Sequence, residues 1–350
     1  MIAMLTELLL YLCAVLLWLS LITYAVLGGA DLGGGIWDLL TFGARGDKER
    51  DLITRALGPV WEANNVWLIY LVVGLMTAFP VVAATIATTL FLPFSLALIG
   101  VVMRGASFAF RIHLTRYFTI RAIWGRAFGF ASLLTPFFLG ASAAAVASGQ
   151  IRYQNGQTAG LSTAWLTPFA LCIGLLGLAL CATIAPFYLT VEAERSDQQE
   201  LMETFRKRGL LANVVVGVLS LICLALTSHY APQLWSGMLG HALWAIAATA
   251  ILWIAATTIL FLRHYKLARV LVVLEVASLL GTWGVAQLPY IIPPDLTIPV
   301  AASPTTTLWE FLITALIGVL VIVPSIWFLF HVFKAQDIVP VVHEKAFEEA

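Results

Sequence analysis

Apolar runs of about 20 residues recur along this chain, and each is long enough to cross the hydrocarbon core of a bilayer as a helix. Lipid offers backbone groups no partners, so runs of this length dictate helices; a barrel strand would alternate apolar and polar residues over about ten positions. Hydrophobic residues make up 61% and charged residues 11% of the 350 positions, and the mean hydropathy is +0.95. Soluble domains carry roughly one-quarter charged residues. The chain therefore reads as an all-α integral membrane protein, a single polytopic domain over 1–350 with about nine transmembrane helices and no soluble domain. The spans fall at roughly 5–30, 58–78, 80–103, 123–147, 163–189, 208–229, 239–263, 267–287 and 306–333. No basic residue precedes the first and no small-residue cleavage site follows it, so it reads as a retained helix rather than a signal peptide.

Basic residues orient these spans. Of the 19 Lys and Arg residues, 18 fall in the loops after spans one, three, five and seven or in the C-terminal tail, and only Arg152 lies on the opposite side. By the positive-inside rule the N-terminus is expected outside and the C-terminus in the cytoplasm of a bacterial or archaeal cell. The formal net charge of zero, with no long run of one sign, gives no footing for nucleic acid. Cys13, Cys172, Cys181 and Cys223 sit in apolar stretches at spacings that match neither C-x-x-C nor a zinc site, and read as small buried hydrophobes.

Polar residues inside the spans carry the functional signal, because a carboxylate at bilayer depth costs about 2.5–3.5 kcal/mol on insertion scales. Asp31 lies in GGADLGGGIWDLL, residues 28–40, with Asp38 on the same face nearer the water. Glu62, Asn64 and Asn65 lie in WEANNVW, residues 61–67, just after Gly58 and Pro59, which read as a helix start. Together with Arg104 and Arg111 of MRGASFAFR, residues 103–111, they are expected within a turn or two of the cytoplasmic interface, able to converge on one site.

Each has plainer readings. Glu62 in a first turn can complement the helix dipole, pair with Arg104, or handle protons. Gly29 and Gly33, at G-x-x-x-G spacing, suit close helix packing better than a phosphate cradle. Arg104 and Arg111 can snorkel, pair with the acids or meet lipid head groups, and the sequence does not rank these. His113, His229, His241, His264, His331 and His343 all fall in loops, at span ends or in the tail, so no haem is expected on this chain's own ligands.

The motifs GGADLGGG (28–35), GPVWEANNVWLI (58–69), MRGASFAFR and WGVAQLPYIIPPDLTI (283–298), followed by a last span and FKAQD, resemble in order and spacing subunit II of the cytochrome bd quinol oxidases. Gly28 and Ala30 stand where that family commonly has an acid and an aromatic, and Glu62-Ala63 where it often has Asp-Gly; Asp31, Gly33, Trp61, Glu62, Asn64 and Trp67 keep the pattern.

The resemblance implies a heterodimer in the cytoplasmic membrane, whose partner subunit I holds two b-type haems and one d-type haem and oxidises quinol while oxygen is reduced to water. This chain would bind no cofactor or metal and hold no catalytic residue. It would shield its partner, with a small accessory subunit and a lipid or quinone as further companions. Glu62 would stand at the proton entry, Asp31 would be a second relay group or the partner of Arg104, and Asn64 and Asn65 would hold water. Trp61 and Trp67 would limit the wet region, with Arg104 and Arg111 in support. A secondary transporter and a purely structural scaffold are the competing readings, the first disfavoured because no inverted repeat is evident.

Overall fold

The computed structural model describes residues 2–41, 46–57, 61–113 and 118–335. Gly58, Pro59, Arg45, Arg116, His343 and Lys345 lie outside the described residues, as do the side chains of Trp61, Arg111, His113, Arg121, His331 and Lys334.

Helices dominate, in the order α1 (Ile2–Leu39), α2 (Gly46–Leu57), α3 (Trp61–Ala78), α4 (Pro80–Thr89), α5 (Phe91–His113), α6 (Phe118–Ala147), α7 (Pro168–Arg195), α8 (Gln199–Tyr230), α9 (Pro232–Leu239), α10 (Leu243–Phe261), α11 (Tyr265–Gln287), α12 (Ile298–Ala301) and α13 (Thr305–Ala335). Two small antiparallel ribbons, β1 (Ile151–Gln154) with β2 (Gln157–Gly160) and β3 (Tyr290–Ile292) with β4 (Leu296–Thr297), join helices at one end of the bundle. The first closes through Asn155 and Gly156, both at positive φ (53° and 77°), as a tight two-residue hairpin requires.

Among the described residues eight helices are long and apolar enough to cross a membrane, or nine when the bent pair 62–78 and 80–89 counts as one span. The number agrees with the apolar runs, but their partition does not. Residues 80–89 do not begin the third span: α4 turns by 117° from α3, with Pro80 at its first position, and the next crossing is α5. Arg104 consequently lies within a transmembrane helix rather than in a loop. Helices also run past their apolar cores, so Arg126, Arg206, Lys207, Arg208 and Arg269 are helical too.

At 38 residues, α1 is about 57 Å long, well beyond the ~30 Å hydrocarbon thickness. It is the central strut and packs on α3, α6, α7 and α11. One core joins α1 to α7, α8, α10 and α11 through Val26, Ile184, Phe187, Val216, Leu260 and Val272. A second fills the end that carries the ribbons, where Leu9, Leu17, Phe79, Val82, Leu90 and Ile292 meet. Arg152 and Asp295 tie the ribbons together there: Nε and Nη2 donate to Oδ2 and Oδ1 at 2.7 and 2.9 Å, and the Tyr153 amide donates to Oδ2 at 2.9 Å. These bonds hold the Asp295 carboxyl below the usual carboxylate range, the Arg152 guanidinium being the larger cause.

At the opposite end the amphipathic α2 is clamped on the bundle. Buried Glu49 accepts from Thr41 Oγ1 at 2.9 Å and lies 2.8 Å from Nη1 of Arg208 on α8. Asp38, seven residues after Asp31 on the same helix, is buried beside Arg50, 3.9 Å away.

Candidate functional site

Close packing of α1 brings the polar residues together. A Cβ at Gly33 would collide with the Cys181 carbonyl oxygen on α7, and one at Gly35 with the Ser132 side chain on α6. The glycine run is thus a helix-packing surface. With α1 held there, Asp31 (3% exposed) faces α3 and α5. Asn64, in the first turn of α3 and buried, donates from Nδ2 to Asp31 Oδ2 and lies 3.4 Å from the Leu27 carbonyl.

Arg104 arrives from α5, also buried, close enough for its charge to act on Asp31. Its guanidinium lies 5.2 Å from the centre of the Phe128 ring, and its Nε is buried with no hydrogen-bond partner among the described residues. Tyr24, Asp31, Asn65 and Arg104 line a small cavity of about 10 Å³. That is room for about one water molecule, and the polar lining suits one. Arg104 Nε, a buried donor left over, fits the same requirement.

The sequence-derived set is therefore split. Asp31, Asn64, Asn65 and Arg104 converge, whereas Glu62 is exposed on the first turn of α3 and is not among the residues lining the cavity. Trp67 is half-buried one turn further along, where its carbonyl accepts from Ser20 Oγ at 2.7 Å and fixes α3 to α1. The side chains of Trp61 and Arg111 lie outside the described residues.

A second buried polar group lies elsewhere in the bundle. Glu275 on α11 is 1% exposed and Asn213 on α8 is 0% exposed. The signal that finds this pair in the sequence is a lone acid in the middle of the span at 267–287. At the ribbon end, Gln233, His241, Gln287 and Tyr290 border a larger pocket of about 280 Å³. Among the described residues no group of three or more His, Cys, Asp or Glu side chains could hold a metal ion.

Residues 9–333 match the family described as cytochrome bd terminal oxidase subunit II. The chain is 25% identical over 331 residues to the putative cytochrome bd menaquinol oxidase subunit II of Bacillus subtilis, covering 91% of this chain and 93% of the relative. It is 25% identical over 343 residues to the cytochrome bd-I ubiquinol oxidase subunit 2 of Escherichia coli K12, covering 87% and 86%. A chain of the bd oxidase from Geobacillus thermodenitrificans superposes with a TM-score of 0.74 at 22% identity, covering 94% of this chain and 99% of that one, which is a likeness of fold.

Proposed function

The chain belongs to the cytochrome bd terminal oxidase subunit II family, and from this premise we propose that it scaffolds the haem-bearing subunit I and supplies a route by which cytoplasmic protons enter the complex. It is a subunit of a bd quinol oxidase in a multi-span membrane assembly of the bacterial cytoplasmic membrane. The haems are assigned to the partner. The histidines whose side chains are described do not fit a haem seat: His229, His241 and His264 are exposed at helix ends and turns. Exposed apolar side chains such as Val73 on α3, Leu98 on α5 and Leu320 on α13 give a surface suited to lipid or to the partner.

The polar cavity bounded by Asp31, Asn65 and Arg104 is the observation that carries the proton route. A carboxyl group, a water-sized space and a guanidinium are the parts needed to hold a proton within the membrane and pass it on. In this reading the end bearing Asp31 and Arg104 faces the cytoplasm, the N-terminus lies outside and the C-terminus inside, in keeping with the distribution of basic residues. Glu62, exposed beside this end, gathers protons at the mouth; Asp31 accepts them; Asn64 and Asn65 orient the acid and the water. Arg104 keeps the Asp31 carboxylate available between transfers.

The exposure of Glu62 also favours a second reading, in which the chain is scaffold alone. Quinol-driven oxygen uptake by the assembled oxidase, with haem content read from its absorption spectrum, separates the two. On the proton-route reading Glu62→Gln and Asp31→Asn each lower turnover by about tenfold or more at normal haem content. Wild-type turnover in both variants at normal haem content would leave the scaffold reading standing.

A further inference from the structure

Glu275 lies near the middle of α11, about 15 Å of helix rise from its start at Tyr265. Val272 and Val276 flank it within the apolar core shared by α7, α8, α10 and α11. Among the described residues its one polar contact is weak: Asn213 Nδ2 lies 3.5 Å from Glu275 Oε2. A hydrogen bond to a carboxylate is normally about 2.7–2.9 Å, and a buried carboxylate needs several donors or a cation.

No basic side chain supplies that cation among the described residues. On α8, Arg206 is held by Glu203 at 2.6 Å and Arg208 by Glu49 at 2.8 Å. On α11 itself Arg269 lies over the Tyr188 ring of α7, 5.6 Å from its centre. Glu192 of α7 is 3.2 Å from Arg195, and Cys172 and Cys223 contact each other at 3.0 Å. Asp31 on α1 is engaged with Asn64, and α10 carries no titratable residue.

The orientation of the Asn213 amide is fixed by its other neighbours. Thr257 Oγ1 donates to the Trp253 carbonyl at 2.8 Å, so toward Asn213 it accepts, and Asn213 Nδ2 donates to it at 2.9 Å. Trp253 Nε1 donates to the Asn213 carbonyl at 2.8 Å and anchors the same residue from α10. Asn213 Oδ1 is then left buried with no donor among the described residues. A buried acceptor without a donor, on the same amide whose Nδ2 approaches a carboxyl group without a cation among the described residues, is accounted for by one hydrogen atom.

We propose that Glu275 is a proton-binding site within the membrane, occupied at neutral pH, whose O–H donates to Asn213 Oδ1 and closes an acid–carboxamide pair between α11 and α8. The ligand of this site is a proton. Through Thr257 and Trp253 the pair extends to α10, so three helices are joined by neutral hydrogen bonds in place of an ion pair. The inference shares no residue with the Asp31 route and does not depend on it.

Infrared spectroscopy of the assembled oxidase tests it. At neutral pH the wild-type enzyme is expected to show a carboxylic-acid C=O stretch that shifts on hydrogen–deuterium exchange and disappears in Glu275→Gln. The same stretch is expected to persist but move in Asn213→Leu, because its hydrogen-bond partner is removed. Asn213→Leu keeps the proposal falsifiable where Glu275→Gln fails to assemble. A neutral-acid band unchanged in Glu275→Gln, or unchanged in Asn213→Leu, would overturn the assignment.

Discussion

Asn64 on α3 donates its side-chain amide to the buried Asp31 carboxylate on α1, so a residue that opens one helix fixes an acid near the end of another. The bond explains why a carboxamide follows the WEA segment in an otherwise apolar run: the acid it serves lies 33 residues away in sequence. Replacing Asn64 with Leu leaves Asp31 without this donor at similar side-chain size. A lost hydrogen bond to a charged group costs about 1.5–3 kcal/mol. Thermal unfolding of the purified complex is expected at a lower temperature in Asn64→Leu, with Asn64→Asp unable to restore it, because a second carboxylate brings no donor at neutral pH.

Arg104 and Asp31, side chains of opposite charge, are both buried and border the same small cavity, so removing one is expected to strand the other. Arg104→Gln alone is expected to destabilise by about 3–5 kcal/mol. The double variant Asp31→Asn/Arg104→Gln, which leaves no net buried charge, is expected to recover part of that loss. A double-mutant cycle on thermal unfolding measures the coupling, and strict additivity would contradict the pairing.

Gly33 lies against the Cys181 carbonyl, so any side chain there pushes α1 from α7. Gly33→Val is expected to cost about 1–3 kcal/mol, the range for overpacking, and to lower the yield of assembled complex. Gly125, which has nothing within 4 Å of its added Cβ, serves as the control: Gly125→Ala is expected to behave as wild type in the same assay.

The Arg152–Asp295 tie supplies a pH dependence at the ribbon end. Asp295 is held below its ordinary value, so the bond is fully present above the unfolded carboxylate pKa of about 3.9 and is lost as pH falls through the lower folded value. Hydrogen exchange of the Tyr153 amide, which donates to Asp295, is expected to accelerate in that acid range beyond the intrinsic trend. In Asp295→Asn the acid-range step is expected to vanish.

The sequence makes some of this legible and hides the rest for identifiable reasons. Helix number follows from hydropathy because lipid forces each apolar run to satisfy its own backbone. Asp31 and Asn64 stand out because polar atoms are scarce in such runs. The turn at Pro80 does not stand out, since residues 80–89 are as apolar as a true span and hydropathy sums carry no direction. Moving that boundary carries Arg104 from a loop into the protein interior, which is why its burial is invisible until the helices are built. Exposure of Glu62 is equally hidden: on a helix, neighbours in sequence point to different faces, and only packing decides that Asn64 looks inward. Glu275 is detectable as the lone acid in its span, but its partner Asn213 lies on another helix and no local pattern joins them.

The apolar core at the ribbon end has an electrical meaning. Leu9, Leu17, Phe79, Val82 and Leu90 form a stopper of hydrocarbon over the side of the bundle remote from Asp31, sealed from above by the hairpin where Thr158 meets Thr85. On the proposed proton route, a proton admitted at the Asp31 end would meet an insulator rather than an exit, so one side could be hydrated without short-circuiting the voltage across the membrane.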